Sequence, residues 1–222
     1  MQKEQIKQKV FELSKKQEWN HLYNFDGVIT RKPINSPGFN IEKWARLKPI
    51  LEKVGIKGKT VLDVGCSDGY FSLEMSKMGA HVVGIDPDPI RIKKANLAKE
   101  VLDVRGVCFE KSKLEDGFGN YDVIVALGFL HRVPELYRSL EIIANHAKIV
   151  ILEFKTLEDP RSIAEWKGGK TKSNKFNGLY FVPTIQCVKD IMSSWEFEVA
   201  IVEKDNTSSL RYRRTIMVLE RK

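Results

Sequence analysis

Thr60-Val61-Leu62-Asp63-Val64-Gly65-Cys66-Ser67-Asp68-Gly69-Tyr70 is the stretch whose reading decides the fold. Three apolar residues, two of them β-branched, run into a turn with two glycines, and a helical pattern follows. That order predicts a buried parallel strand feeding a ligand-binding turn. The dinucleotide fingerprint Gly-x-Gly-x-x-Gly does not fit, because the spacing here is Asp-x-Gly-x-x-x-Gly. Gly65 and Gly69 are expected to let the backbone pass close to a ligand, where a Cβ would clash. The alternative is an ordinary strand-to-helix turn of some other α/β protein.

Outward from this stretch the chain alternates. Strands are predicted at 60–64, 81–85, 106–109, 121–127 and 148–154, with helices near 69–78, 88–102 and 134–146, which implies a doubly wound, mostly parallel sheet. After a helix near 183–194 come two apolar runs, 197–202 and 214–219, joined by a polar turn region without a helix, so they are expected to pair antiparallel. The fold class read from this is α/β, a seven-stranded Rossmann-like sheet ending in an antiparallel hairpin. Upstream, Ile6, Val10 and Leu13 stand at helical spacing over 2–18, and Trp44, Leu47, Ile50 and Leu51 do so over about 41–54. Asn40 is the expected cap of that second helix, Pro49 an expected kink or break, and 26–40 a loop. Trp19-Asn20-His21-Leu22-Tyr23-Asn24-Phe25 alternates aromatic and polar residues and reads as an aromatic lid on the core or a stacking surface. Residues 1–59 are thus a basic helical and loop extension, and 60–222 the main domain, with a basic insertion near 155–178.

The 222 residues carry 37 Lys/Arg against 29 Asp/Glu, a net charge of +8, unevenly spread. Residues 1–59 hold 13 basic against 6 acidic side chains, 60–154 hold 11 against 14, and 155–178 hold 6 against 3. An acidic core with basic additions suits a polyanionic partner, although charge alone favours a solvated basic surface. No apolar run reaches membrane-spanning length and no secretory signal is read at the N-terminus. Three cysteines, Cys66, Cys108 and Cys187, in no ligand spacing argue for a reducing cytoplasm and against a structural zinc.

Several side chains have chemistry in the right place. Asp86 ends the second strand, where a carboxylate can accept both hydroxyls of a ribose, or else cap the next helix. The loop Asp86-Pro87-Asp88 is expected to shape an adenine pocket. Leu127 ends the fourth strand, and His131 follows where a side chain titrating near neutrality suits a general base. Glu153 ends the fifth strand and is a candidate substrate contact.

The Asp63-x-Gly65-x-Ser67-x-Gly69 motif resembles the first motif of class I S-adenosylmethionine-dependent methyltransferases, with Ser67 replacing the usual middle glycine. The resemblance implies that Asp63 holds the methionyl end of S-adenosyl-L-methionine, that Ser112 and Lys113 contact adenine, and that Leu127 packs on the cofactor. A closer resemblance rests on Arg31-Lys32-Pro33, Glu42-Lys43-Trp44-Ala45-Arg46, the stretch Leu127–Leu136, and Asn177-Gly178-Leu179-Tyr180-Phe181-Val182-Pro183. These are similar to the bacterial enzymes that complete 5-carboxymethoxyuridine at the tRNA wobble position from carboxy-S-adenosyl-L-methionine. It implies that Lys32, Lys43 and Arg214 pair with the donor's extra carboxylate. One departure is plain: the family tyrosine before the histidine is Leu130 here, which leaves plain methyl transfer open.

The function expected is methyl or carboxymethyl transfer to tRNA. The alternatives are a small-molecule O- or N-methyltransferase and a non-catalytic nucleic-acid-binding module on the same fold. A nicotinamide oxidoreductase is disfavoured by the glycine spacing and the terminal hairpin.

Overall fold

The computed structural model describes residues 1–30, 39–130, 133, 135–167, 180–205 and 212–222. Two compact units divide the chain, 1–113 and 114–222.

The first unit contains α1 (Lys3–Lys16), β1 (Asn24–Phe25), β2 (Val28–Ile29), α2 (Phe39–Val54), β3 (Thr60–Val64), α3 (Tyr70–Lys77), β4 (His81–Ile85), α4 (Pro89–Val101) and β5 (Val107–Glu110). β3 pairs parallel with β4, and β4 with β5. Val61, Leu62, Asp63 and Val64 are all at most 2% exposed, so β3 is buried on both faces, as its apolar residues on both sides of the strand predict, with Asp63 the one buried charge among them. Each such aliphatic side chain contributes about 1.5–3 kcal/mol on burial. α1 buries Ile6 and Val10 and packs on α4. Trp19, Tyr23 and Phe25 are buried, with Tyr23 stacked on Phe25 at 5.0 Å and Trp19 edge-on to both, so the aromatic run is a lid on the core rather than a free stacking surface.

Three local expectations are corrected. The stretch expected as loop from residue 26 includes β2, which pairs with β1 through a two-residue Asp26-Gly27 turn with both φ values positive, 49° and 86°. That is the hairpin turn an Asp-Gly pair favours. Asn40 lies inside α2 rather than capping it: its side chain accepts from the Leu22 backbone N–H at 3.0 Å and donates to the Leu22 carbonyl at 3.1 Å. Pro49 does not split the element, since α2 runs unbroken through it; buried Leu47, Ile50 and Leu51 on either side hold both halves to the core despite the missing donor.

The second unit contains a 3₁₀ turn (Leu114–Asp116), β6 (Tyr121–Leu127), α5 (Leu136–His146), β7 (Ala147–Leu157), β8 (Ala164–Lys167), β9 (Tyr180–Pro183), α6 (Ile185–Ser193), β10 (Phe197–Lys204) and β11 (Tyr212–Arg221). β6 and β7 are parallel, whereas β11 runs antiparallel to both β7 and β10. The terminal hairpin is therefore as expected. β8 and β9 form a separate antiparallel pair that the sequence reading did not include. The seven-stranded sheet draws β3-β4-β5, in that order, from the first unit and β10-β11-β7-β6 from the second, the mostly parallel Rossmann-like arrangement. Among the described residues no helix is long and apolar enough to cross a membrane.

Candidate active site

The site in the first unit follows from strand register. β3 and β4 are parallel with Val64 opposite Ile85, so their carboxyl ends finish level and their loops lie side by side. The backbone N–H groups of Gly65 and Cys66 both donate to the Ile85 carbonyl at 2.9 Å, tying the first loop to the second strand. The chain then turns through positive φ at Gly65 (72°), Ser67 (54°) and Gly69 (83°). Ser67 thus takes a conformation that glycine adopts more cheaply, which accounts for glycine at this place in the motif it resembles.

Asp86 sits where the loops meet. The Ser67 N–H donates to its Oδ2 at 3.1 Å and the Asp88 N–H to its Oδ1 at 2.9 Å. Burial raises its pKa, and the two backbone hydrogen bonds work in the opposite direction. A carboxylate has about four lone-pair sites; two amides leave acceptor capacity on both oxygens, as a vicinal diol requires.

Asp63 is 2% exposed, and Ser72 Oγ donates to its Oδ2 at 2.5 Å. Burial lifts its pKa to about 6; the Ser72 bond opposes this, Asp86 adds to it, and the Lys43 ammonium lowers it. Lys43 is itself buried, with Nζ 5.5 Å from the centre of the Phe71 ring. The Cys66 thiol is pushed well up by burial and then by Asp63, Asp86 and Asp68, so three carboxylates bear on one loop.

Other expected site residues fall differently. Gly69 is required by packing: a Cβ there would lie 2.7 Å from Phe109 Cζ and 2.8 Å from Ala95 Cβ. The expected close approach is to the protein's own β5 and α4. Asp88 is the N-cap of α4, accepting from the Ile90 N–H at 2.8 Å, with Pro89 opening the helix and Pro87 between the two aspartates. Ser112 and Lys113 follow the end of β5, where the Ser112 hydroxyl donates to the Lys113 carbonyl at 3.3 Å. In the second unit, Leu127 ends β6, half-buried and opposite Glu153 of β7. Glu153 is fully buried, and Arg214 Nε lies 2.8 Å from its Oε1. The expected substrate contact and the expected donor contact are thus an ion pair with each other. Leu130 is fully buried. Lys32 and His131 lie outside the described residues, as do Arg31, Pro33 and residues 177–179 of the resemblance.

The sequence reading missed Asp68, Arg91 and Lys94. Asp68 is completely buried; its carboxylate accepts from the backbone N–H groups of Asn20 and His21, the latter at 3.1 Å, and from Arg91 Nη1 at 2.9 Å. Lys94, also fully buried, donates to the Gln17 and Glu18 carbonyls at 2.7 and 2.8 Å. The available signal was position: Lys94 falls on the apolar face of α4 with Ala95, Leu97 and Ala98.

Comparison with known proteins adds to this geometry. Residues 38–199 match the family described as Methyltransferase domain. A tRNA U34 carboxymethyltransferase of Nautilia profundicola is 26% identical over 187 residues, 78% of this chain and 58% of that protein. The enzyme of the same name from Campylobacter jejuni is 30% identical over 179 residues, 76% and 60% respectively. The chain thus spans about three-fifths of the length of these curated relatives. A ubiquinone biosynthesis O-methyltransferase of Coxiella burnetii is 33% identical over 98 residues, 43% of this chain and 42% of that protein. Among solved structures, the N-terminal domain of EvdMO1 in the presence of SAH and D-fucose superposes with a TM-score of 0.79 at 14% identity, covering 100% of this chain and 98% of that one. Magnesium protoporphyrin IX methyltransferase of Synechocystis PCC 6803 with bound SAM gives 0.66 at 20% identity, covering 86% of each chain.

Proposed function

The chain belongs to the methyltransferase-domain family, with the class I fold, and from that premise we propose that it binds S-adenosyl-L-methionine or its carboxylated form and alkylates tRNA. The observation that carries the donor reading is Asp86, held by two backbone amides at the level end of β3 and β4 with both oxygens still able to accept. The residues fit the donor: a diol meets Asp86, and a cationic amine meets the buried Asp63 carboxylate. When bound, the sulfonium supplies a carbon already activated for displacement, so the protein's task is mainly positioning.

In this reading Asp63 faces the methionyl amine, Gly65 and Ser67 shape the turn, Asp86 holds the ribose, and Pro87, Asp88, Ser112, Lys113 and Leu127 border the nucleoside. His131 accepts the acceptor's proton. Lys43, buried beside Phe71 and close enough to lower Asp63, is the cation of this unit that would meet a donor carboxylate. Lys32 and Arg214 complete that set, although Arg214 already faces Glu153 and brings less net charge than a lone cation would.

The wobble-uridine acceptor is supported by the names of relatives that align over three-quarters of this chain, and by the basic 1–59 segment. A small-molecule hydroxyl acceptor is the second reading, favoured by the Coxiella burnetii relative. The test is incubation of the purified protein with each donor and bulk tRNA, followed by nucleoside mass measurement. A modified uridine of the mass of the group transferred supports the proposal. Failure to bind tRNA at low salt, where phosphate contacts are strongest, overturns the RNA acceptor, and Asp86→Ala with wild-type donor affinity removes Asp86 from the site.

A further inference from the structure

Residues Gln17–Tyr23 form a strap between α1 and β1. An N-terminal segment that merely packed on a domain would be expected to do so with apolar side chains, as α1 does with Ile6 and Val10. The strap is held differently. Its Gln17 and Glu18 carbonyls accept from Lys94, the Glu18 carbonyl also accepts from Arg91 at 2.9 Å, and the Asn20 and His21 amides donate to Asp68. Asp68 and Lys94 are fully buried, and burying charge is costly unless it is well paired and hydrogen-bonded. The Trp19 ring lies under the Lys94 ammonium at 5.4 Å, and the Tyr23 hydroxyl donates to the Asp68 carbonyl at 2.7 Å.

From the strap a short circuit leads into the site. Gln17 Nε2 donates to Asp88 Oδ2 at 3.0 Å; the Asp88 N–H donates to Asp86 Oδ1 at 2.9 Å; and Asp86 Oδ2 takes the Ser67 N–H, one residue before Asp68. Asp88 is thereby fixed from three directions, by Gln17, by the Ile90 amide it caps, and by its own donation to Asp86. The elements that grip the strap, the 65–69 loop and the first turns of α4, are the ones that aim Asp86.

We infer that Asp68, Arg91 and Lys94 are positioning residues for the donor site, seating the strap so that Gln17 holds Asp88 and Asp88 holds Asp86. The inference rests on Asp86 being the donor's ribose contact. The strap is then a component of the binding site without touching the ligand. Donor occupancy and strap seating stabilise each other, since coupling between two sites is reciprocal.

Calorimetric binding of S-adenosylhomocysteine to wild type, Asp86→Ala, Gln17→Ala and Lys94→Met tests this. It is combined with amide hydrogen exchange over residues 17–23 with and without ligand, which a purely structural strap would not move. Gln17→Ala and Lys94→Met are each expected to weaken binding about five- to tenfold, the net effect of about one ordinary hydrogen bond passed on through the strap. Ligand is expected to slow exchange in the strap of wild type and not of Gln17→Ala. Gln17→Ala is the deciding variant should Lys94→Met fail to fold. If Gln17→Ala binds as wild type while Asp86→Ala does not, the positioning role is overturned and the donor site stands. If Asp86→Ala binds as wild type, the donor-site reading fails and takes the positioning role with it.

Discussion

Gly69→Ala separates two reasons for a glycine in the turn after β3. The residue has φ +83°, and an added Cβ meets Phe109 Cζ at 2.7 Å, Ala95 Cβ at 2.8 Å and Phe109 Cε1 at 2.9 Å. The left-handed backbone costs an alanine about 1–2 kcal/mol. The overlap with two buried neighbours adds about 1–3 kcal/mol, because a packed interior yields only by moving side chains off their rotamers. The sum is about 2–5 kcal/mol. Gly58 in the same unit supplies the control: its φ is +75° with nothing within 4 Å of an added Cβ, so only the backbone part applies. Urea unfolding of both variants measures the difference, expected at about 1–3 kcal/mol. Phe109→Leu in the Gly69→Ala background should recover part of it, whereas in the Gly58→Ala background it should recover nothing. Equal destabilisation by the two alanines would refute the packing argument, and severe loss of donor affinity alongside it would return Gly69 to a ligand-facing role.

Two further outcomes follow from buried charge. Asp63, with its pKa lifted to about 6, must be ionised to meet a cationic donor, so protonation competes with binding: titration calorimetry should show affinity falling about tenfold between pH 7 and pH 5. Because the folded pKa lies above the unfolded value, this group alone makes the unliganded protein more stable as pH falls from 6 toward 4, and Ser72→Ala should raise the pKa further. Arg214→Ala leaves Glu153 buried without its guanidinium and should cost about 3–5 kcal/mol in thermal or urea unfolding, while Glu153→Leu with Arg214→Met should cost far less; similar losses in the two would show that the pair carries no charge compensation.

The strands, the main helices and the terminal hairpin were legible because each is written in hydrophobic period alone, as in Val61-Leu62-Asp63-Val64 or Val123-Ile124-Val125-Ala126. The position of Asp86 at the carboxyl end of β4 was legible because the strand's apolar run stops there. The β1–β2 hairpin was also written, in Asp26-Gly27, but its strands have two residues each and leave no alternation to detect. What sequence could not carry is pairing across distance. Asp68 reads as one more polar residue in a turn until Asn20, His21 and Arg91 are seen around it. Gly69 reads as ligand-facing until Phe109 arrives from β5, and Arg214 reads as a lone cation until β11 lies beside β7 and brings it to Glu153.

At residues 17, 18, 20 and 21 the strap is gripped through its main chain, by the carbonyls of Gln17 and Glu18 and the amides of Asn20 and His21, and at Gln17, Trp19 and Tyr23 by side chains as well. These backbone bonds do not themselves depend on the side chains carried at those positions, while the side chains that do the gripping, on α4 and the turn, have no such latitude. Proline is the exception, since at 20 or 21 it would remove an amide that Asp68 accepts from and leave a buried carboxylate short of a donor. These backbone bonds thus tolerate any residue but the imino acid, while Gln17, Trp19 and Tyr23 are held by what their side chains do.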